Sequence, residues 1–365
     1  MRIGILTLPL HTNYGGILQA YALQTVLERF GHDVIILDKQ SGYRQKWFRL
    51  PFVLSFRFIK RIIGLYNGPI WVEKVKWQKA IYARSNTQKF IDQYLHIAYF
   101  DKIENIKPDD VDCIVVGSDQ IWRARYFRNI SRNPADMFLA FTEKWKVKRL
   151  AYAASFGTDQ WELNTKDTQK CSYFAQLFDA ISVREDSGVR LCSEKLHVPA
   201  EHVLDPTMLL SKIEYDKLIK ADNTHRHCLV SYVLDRDSCK AKIVEGLSSQ
   251  FGKEYSLNLA ESPVPPVEFW LEGLICAEKM VTDSFHGTAF SINFNIPFVV
   301  LSNENRGQSR LESILKMFHL ESRMVSSLSQ ALKIMNEPID WDSVNSILAT
   351  QRDFSIKFLS KLLYV

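Results

Sequence analysis

Short apolar runs alternate along this chain with longer stretches of helical period. Residues 3–7 read as a buried strand, and residues 11–16 (His-Thr-Asn-Tyr-Gly-Gly) as a loop. Residues 17–30 read as a helix with Leu23, Val26, Leu27 and Phe30 on one face. Gly31 stands where a helix C-terminal glycine belongs, and residues 34–37 form the next strand, ending at Asp38. Strand, glycine loop, helix and strand open a doubly wound parallel sheet. Further buried strands are predicted at 112–116, 149–154 and 180–183, with 203–207 closing the series. Polar residues or glycine follow each strand's C-terminal end, the edge of an open sheet where ligands bind.

A polar stretch at 220–227 reads as a linker. Beyond it the alternation resumes: strands at 228–234, 255–257, 280–282 and 297–301, with helices at 238–251, 267–277, 288–294, 311–318 and 354–364. The pattern predicts an α/β fold of two Rossmann-like domains with parallel sheets facing across a cleft. The first spans 1–220 and the second 221–365, with the C-terminal helix packing back on the first domain.

Residues 43–80 break the alternation. They are rich in aromatic and basic residues, and Glu73 is their only acid. Two readings fit: a helical insertion packed on the domain with solvated basic side chains, or a peripheral contact with an anionic membrane.

Composition narrows the class. Of 365 residues 46% are hydrophobic and 24% charged, enough for two sizeable cores. The net charge of +5 is mild, and no recognised nucleic-acid reader motif accompanies it, so nucleic-acid binding is not expected. The N-terminus enters a strand directly, with no signal-peptide pattern, and no apolar run is long enough to span a bilayer. A cytoplasmic protein is expected, peripheral at the inner membrane face if 43–80 touches lipid. The six cysteines have neither zinc-site nor disulfide-framework spacing and read as small buried hydrophobes in a reducing compartment. No metal site is expected.

Four segments could carry chemistry. In Asp283-Ser284-Phe285-His286-Gly287-Thr288 an apolar strand runs into a helix start. His286 then sits near free backbone N–H groups of Gly287 and Thr288, with Gly287 opening room for an anion, which pairs a proton-transfer group with a phosphate cradle. A structural histidine beside a capping aspartate fits equally. Arg184, just past a buried strand, is placed either to grip a phosphate or carboxylate or to form an ion pair with Glu185, Asp186 or Asp205. Asn13-Tyr14-Gly15-Gly16 offers close approach to a ligand without a nucleotide fingerprint. Gly117-Ser118-Asp119-Gln120-Ile121-Trp122 is either a capped turn or a sugar wall with Trp122 stacking on the ring. Of the other histidines only His11 falls in a loop expected near the cleft.

Together these segments resemble the polysaccharide pyruvyl transferase family. The resemblance rests on residues 3–7 with Asn13-Tyr14-Gly15-Gly16-Ile17-Leu18-Gln19, on Val116-Gly117-Ser118-Asp119-Gln120-Ile121-Trp122 and on Tyr152-Ala153-Ala154-Ser155-Phe156-Gly157. Ser182-Val183-Arg184-Glu185, Leu204-Asp205-Pro206-Thr207, Thr282 to Thr288 and Ser309-Arg310 complete it. It implies two domains arranged as in GT-B glycosyltransferases. It implies phosphoenolpyruvate as co-substrate, no cofactor, and a lipid-linked or nucleotide-linked sugar as acceptor. The product is a pyruvate ketal in capsule or exopolysaccharide synthesis. His286 and Arg184 would be catalytic, with Asp283, Ser284, Gly287, Thr288 and Arg310 at the donor. Asn13, Tyr14, Gly15, Ser118, Asp119 and Trp122 would face the acceptor. Many members carry a basic residue where this chain has Ser284; Arg306 or Arg310 would have to supply that cation. Two alternatives stand beside this reading: a nucleotide-sugar glycosyltransferase on the same scaffold, and a catalytically silent subunit of a glycan-assembly complex.

Overall fold

A computed structural model describes residues 1–39, 50–219, 226–258, 261–303 and 307–363. Residues 220–225 of the expected linker, residues 43–49 of the expected insertion, and Arg306 lie outside them.

Two parallel sheets form the frame. The first contains β1 (Arg2–Leu6), β2 (Asp33–Lys39), β3 (Ile97–Phe100), β4 (Cys113–Gly117), β5 (Lys148–Ala154), β6 (Ala180–Val183) and β7 (Glu201–His202), in the order β3-β2-β1-β4-β5-β6-β7. The second contains β8 (Leu229–Tyr232), β9 (Glu254–Ser256), β10 (Met280–Thr282), β11 (Phe298–Leu301) and β12 (Met324–Val325), in the order β12-β11-β10-β8-β9. Central strands such as β4 are buried along their whole length, as a parallel sheet covered on both faces requires. Strand order reverses between β1 and β4 in one sheet and between β8 and β10 in the other. Each reversal opens a crevice at the strands' carboxyl ends.

Helices α1 (Tyr14–Arg29), α2 (Leu50–Ile62), α3 (Val72–Ala83), α4 (Ser85–Tyr94), α5 (Ala124–Phe127), α6 (Thr165–Ala175), α7 (Asp186–Leu191) and α8 (Lys212–Asp216) belong to the first half. The second half has α9 (Ser238–Phe251), α10 (Val267–Ile275), α11 (Phe285–Asn293), α12 (Gln308–Met317), α13 (Leu328–Asn336) and α14 (Trp341–Leu363).

One apolar core runs through both halves, joining Ile3 and Leu18 to Met280 and Phe290. The Tyr14 ring stacks on Trp270 with centroids 5.7 Å apart, and its hydroxyl donates to the Pro265 carbonyl at 2.9 Å. Helix α14 returns to the first domain. Ser355 accepts the Leu204 N–H at 3.0 Å, Arg352 donates to the Met208 carbonyl at 2.8 Å, and the Phe358 ring lies 6.3 Å from Tyr152.

The sequence pattern misplaces several boundaries. Helices α1 and α11 both begin three residues before the predicted start, so Gly15, Gly16, His286 and Gly287 are helical. Glycine before a helix reads as loop, but contact with the opposite domain fixes these turns. Residues 203–207 are not a strand: only β7 pairs with β6, and Asp205 then caps a 3-10 turn at Pro206–Met208. The pattern misses β3, the two-residue β12 and α13, and it starts α14 thirteen residues late. Four cysteines are buried, but Cys228 and Cys239 are exposed, so those two are not core hydrophobes. Nor are α2 and α3 packed on the domain: no residue from 51 to 86 is buried.

Candidate active site

Both sheet crevices open into one cavity of about 400 Å³, within the ~300–1,000 Å³ range of small-molecule sites. Residues 8–14 follow β1, Asp119 and Gln120 follow β4, Leu234 follows β8, and residues 283–286 follow β10; all of them line it.

Three helices point their N-terminal ends into this space. Asn13 and Tyr14 begin α1, Ser284 and Phe285 begin α11, and Gly307 precedes α12, whose first turn carries Arg310; all six line the cavity. Among the described residues none of the three N-cap positions makes a side-chain cap bond. The first N–H groups of each helix have no intrahelical acceptor, and aligned peptide dipoles make each end positive. Such an end is a ready seat for an anion. The cavity has three.

His286 lies in the first turn of α11, 6% exposed. Gly15 of the opposite domain makes room for it, because a Cβ built on Gly15 would lie 2.0 Å from His286 Nδ1. Its Nε2 is 3.9 Å from Asp205 Oδ2 and has no hydrogen-bond partner among the described residues. Burial drives the imidazole pKa down to about 4, against the pull of Asp205, so the ring is neutral at neutral pH.

Behind His286 lies a buried charge cluster. Arg184 NH1 donates to Asp205 Oδ2 at 2.8 Å, and its NH2 lies 3.5 Å from Asp119 Oδ1. Asp205 also accepts from Ser118 Oγ at 3.1 Å and from Thr207 N–H and Oγ1 at 2.9 and 2.7 Å. Burial alone would raise the Asp205 pKa, but Arg184, then His286, and these bonds hold it below the ordinary carboxylate value. Arg184 is itself only 3% exposed and does not line the cavity. The ion-pair reading of Arg184 therefore describes its contacts. Among the described residues the arginine that lines the cavity is Arg310, whose pKa burial and then Arg184 lower to about 10, still charged at neutral pH. Both guanidinium groups lie over the Phe285 ring, Arg184 at 4.4 Å and Arg310 at 5.7 Å.

The other expected site residues divide. Asn13, Tyr14, Asp119 and Ser284 reach the cavity wall, and so does His11. Asp283 reaches it too, but its carboxylate is engaged: it accepts Leu234 N–H, Asp235 N–H, Lys240 Nζ and Asn303 Nδ2 at 2.6, 3.2, 2.7 and 2.8 Å. It ties the loop after β8 to that after β10. Asp283→Ala is expected to cost about 3–5 kcal/mol of stability, because it strands a buried lysine, and urea denaturation would read this. Gly287 faces Thr282, whose Oγ1 would meet an added Cβ at 2.2 Å, so its missing side chain serves packing and not a phosphate. Thr288 N–H already donates to the Ser284 carbonyl at 3.0 Å. Ser118 is fully buried behind the cavity. Trp122 is no sugar platform: it is buried, stacks on Phe138 at 4.8 Å, and donates from Nε1 to the Met137 carbonyl.

Asp205 is the site residue that sequence reasoning undervalued, as no more than a partner for Arg184. Gly307 was missed. Its φ of 95° and the Gly157 carbonyl 2.0 Å from where its Cβ would stand allow only glycine there. Among the described residues no cluster of three or more His, Cys, Asp or Glu is placed to hold a metal ion.

The sequence model of the family described as polysaccharide pyruvyl transferase matches residues 13–305. No curated protein sequence matches the chain. Among solved structures, Arabidopsis thaliana UGT89C1 complexed with UDP-L-rhamnose is similar in fold, with 7% identity, TM-score 0.54, and 99% of this chain and 98% of that one covered. Acinetobacter baumannii MurG, at 8% identity and TM-score 0.45, covers 99% and 98%. The likeness to UGT89C1 is one of fold alone: two α/β halves with parallel sheets, arranged as in GT-B glycosyltransferases.

Proposed function

The chain belongs to the polysaccharide pyruvyl transferase family, and from that premise we propose that it transfers pyruvate from phosphoenolpyruvate to two hydroxyls of a lipid-linked or nucleotide-linked sugar. The observation that carries the donor is the convergence of three uncapped helix N-termini and Arg310 on one cavity beside a buried histidine. Phosphoenolpyruvate is small and carries two separate anionic groups, a carboxylate and a phosphate. It matches a site with several anion seats far better than a neutral sugar does. The first turns of α11 and α12 with Arg310 hold the phosphate and carboxylate, and Asn13, Tyr14, His11 and Asp119 face the sugar. Arg310 supplies the cation that Ser284 does not.

The reaction follows from the placement of His286. The donor brings close to three negative charges to a neutral imidazole, and nearby anions favour the charged ring. His286 therefore takes up a proton as the donor enters, and gives it to the methylene carbon C3. One sugar hydroxyl adds at C2. The C2–O bond to phosphate breaks, and the second hydroxyl closes the ketal. Of the two hydroxyl protons, one replaces that given to C3 and the other leaves with phosphate. The Asp205–Arg184 pair orients the imidazole and is a positioning element.

Thermal shift tests the donor. Phosphoenolpyruvate at millimolar concentration is expected to raise the melting temperature, since a ligand that binds only the folded state stabilises it. In Arg310→Ala the apparent Kd is expected to rise by roughly 30-fold or more, as for loss of a buried charge partner. No shift in the wild type, or a shift with uridine diphosphate instead, would turn the reading toward a nucleotide-sugar transferase.

A further inference from the structure

We propose that α2 and α3 form a membrane-docking surface for anionic lipid, which sets the mouth of the cavity against the bilayer; this rests on the reading of that cavity as the sugar-transfer site. The two helices project from the molecule. No residue from 51 to 86 is buried, yet Phe52, Phe56, Phe58, Ile59, Ile62, Ile63, Leu65 and Trp71 are 44–79% exposed. Phe52, Phe56, Ile59 and Ile63 recur at spacings of four, three and four, so they form one stripe along α2 and just past its end. Arg57 and Arg61 fall on the other side, and Lys60 flanks the stripe with its Nζ 4.5 Å from the Phe56 ring centroid.

Charge chooses the occupant. Residues 50–83 hold six Lys and Arg and one Glu, a net +5, which equals the charge of the whole chain, so all other residues together are net zero. The single acid, Glu73, is paired with Arg57. An exposed apolar stripe flanked by one sign of charge, with Trp71, Trp77 and Tyr82 beside it, suits an interface with anionic headgroups: apolar side chains enter the acyl boundary and basic ones meet phosphate. A protein partner would face the same apolar stripe without needing so uniform a charge.

The base of the projection ties it to the site. Ala83 carbonyl accepts the Val264 N–H at 2.9 Å, Asn86 donates to the Val264 carbonyl at 3.0 Å, and Thr87 donates to the His11 carbonyl at 2.7 Å. His11 and Val264 both line the cavity. A membrane bound by α2 and α3 therefore lies at the cavity rim, which favours the lipid-linked acceptor over the nucleotide-linked one.

Vesicle co-sedimentation of the full chain tests this without donor or acceptor, so its outcome is independent of whether phosphoenolpyruvate binds. Phosphatidylcholine vesicles are compared with phosphatidylcholine and phosphatidylglycerol mixed at roughly 2:1. Binding is expected on the mixed vesicles only, to weaken with salt, and to fall at least about tenfold in K60E/R61E and in F56S/I59S. Circular dichroism checks that each variant is folded. Equal binding to neutral vesicles would overturn the anionic-lipid proposal. So would absence of binding to either, with F56S/I59S converting a dimer to a monomer; the stripe would then pair with a second copy.

Discussion

His286→Ala is expected to lower turnover by about 10²–10⁴-fold, the usual contribution of a positioned general acid, while the Kd for phosphoenolpyruvate changes only a few-fold. In the proposed function the donor's seats are the first turns of α11 and α12 with Arg310, and none needs the imidazole. Rapid-quench or phosphate-release kinetics would give the first quantity and calorimetry the second. Calorimetry in buffers of different ionisation heat gives a sharper readout. With the ring near pKa 4 in the free protein, wild-type donor binding at pH ~6 should take up about one proton, and His286→Ala should take up none. The same shift has a sign for stability. The folded pKa lies below the ordinary imidazole value of 6.5, so on acidification the unfolded chain takes the proton first. Stability due to this group is fully present above about pH 6.5 and declines as pH falls toward 4. His286→Ala should flatten that limb in urea denaturation.

Gly15→Ala is expected to cost about 10²-fold in turnover and about 1–3 kcal/mol in stability, although Gly15 itself does no chemistry. A methyl group there would stand 2.0 Å from His286 Nδ1 and 2.2 Å from its Cγ. Contacts this short force the imidazole away or open the α1–α11 contact, and a displacement of about 1 Å is enough to lose alignment. Gly16→Ala is the control. The atoms nearest its Cβ would belong to the Asn13 side chain, the closest at 3.1 Å, and a flexible amide can yield. An equal loss in both variants would point to a general intolerance of side chains in this turn and remove the specific role given to Gly15.

Much of the scaffold is legible in the sequence because central parallel strands are buried on both faces. Residues 113–117 are a continuous apolar run, 150–154, 180–183 and 280–282 are mainly apolar, and each is followed by polar residues, which locates the ligand edge. The pairing of His286 with its helix start is legible for the same reason. What was not legible depends on contacts between the domains. Nothing near Gly15 in sequence says that its missing side chain faces residue 286. Arg184 directly follows β6 and Arg310 lies in the first turn of α12, and nothing in the sequence says that the first is locked to Asp205 while the second lines the cavity. Trp122 looks like a sugar platform in sequence. Only the aromatic neighbours Phe138 and Phe156, one of them sixteen and the other thirty-four residues away, show that it is core. The exposure of α2 and α3 was equally hidden, since an apolar stripe reads the same whether a domain or a membrane covers it.

The central claim is that the cavity binds phosphoenolpyruvate with its methylene carbon facing His286. A crystal structure of the chain soaked with phosphoenolpyruvate tests it most directly. The account predicts phosphate oxygens on the first-turn N–H groups of α11 or α12 and within hydrogen-bond reach of the Arg310 guanidinium, with C3 toward His286. Phosphoenolpyruvate bound elsewhere, or within the cavity with its anionic groups turned away from those helix ends, would contradict it.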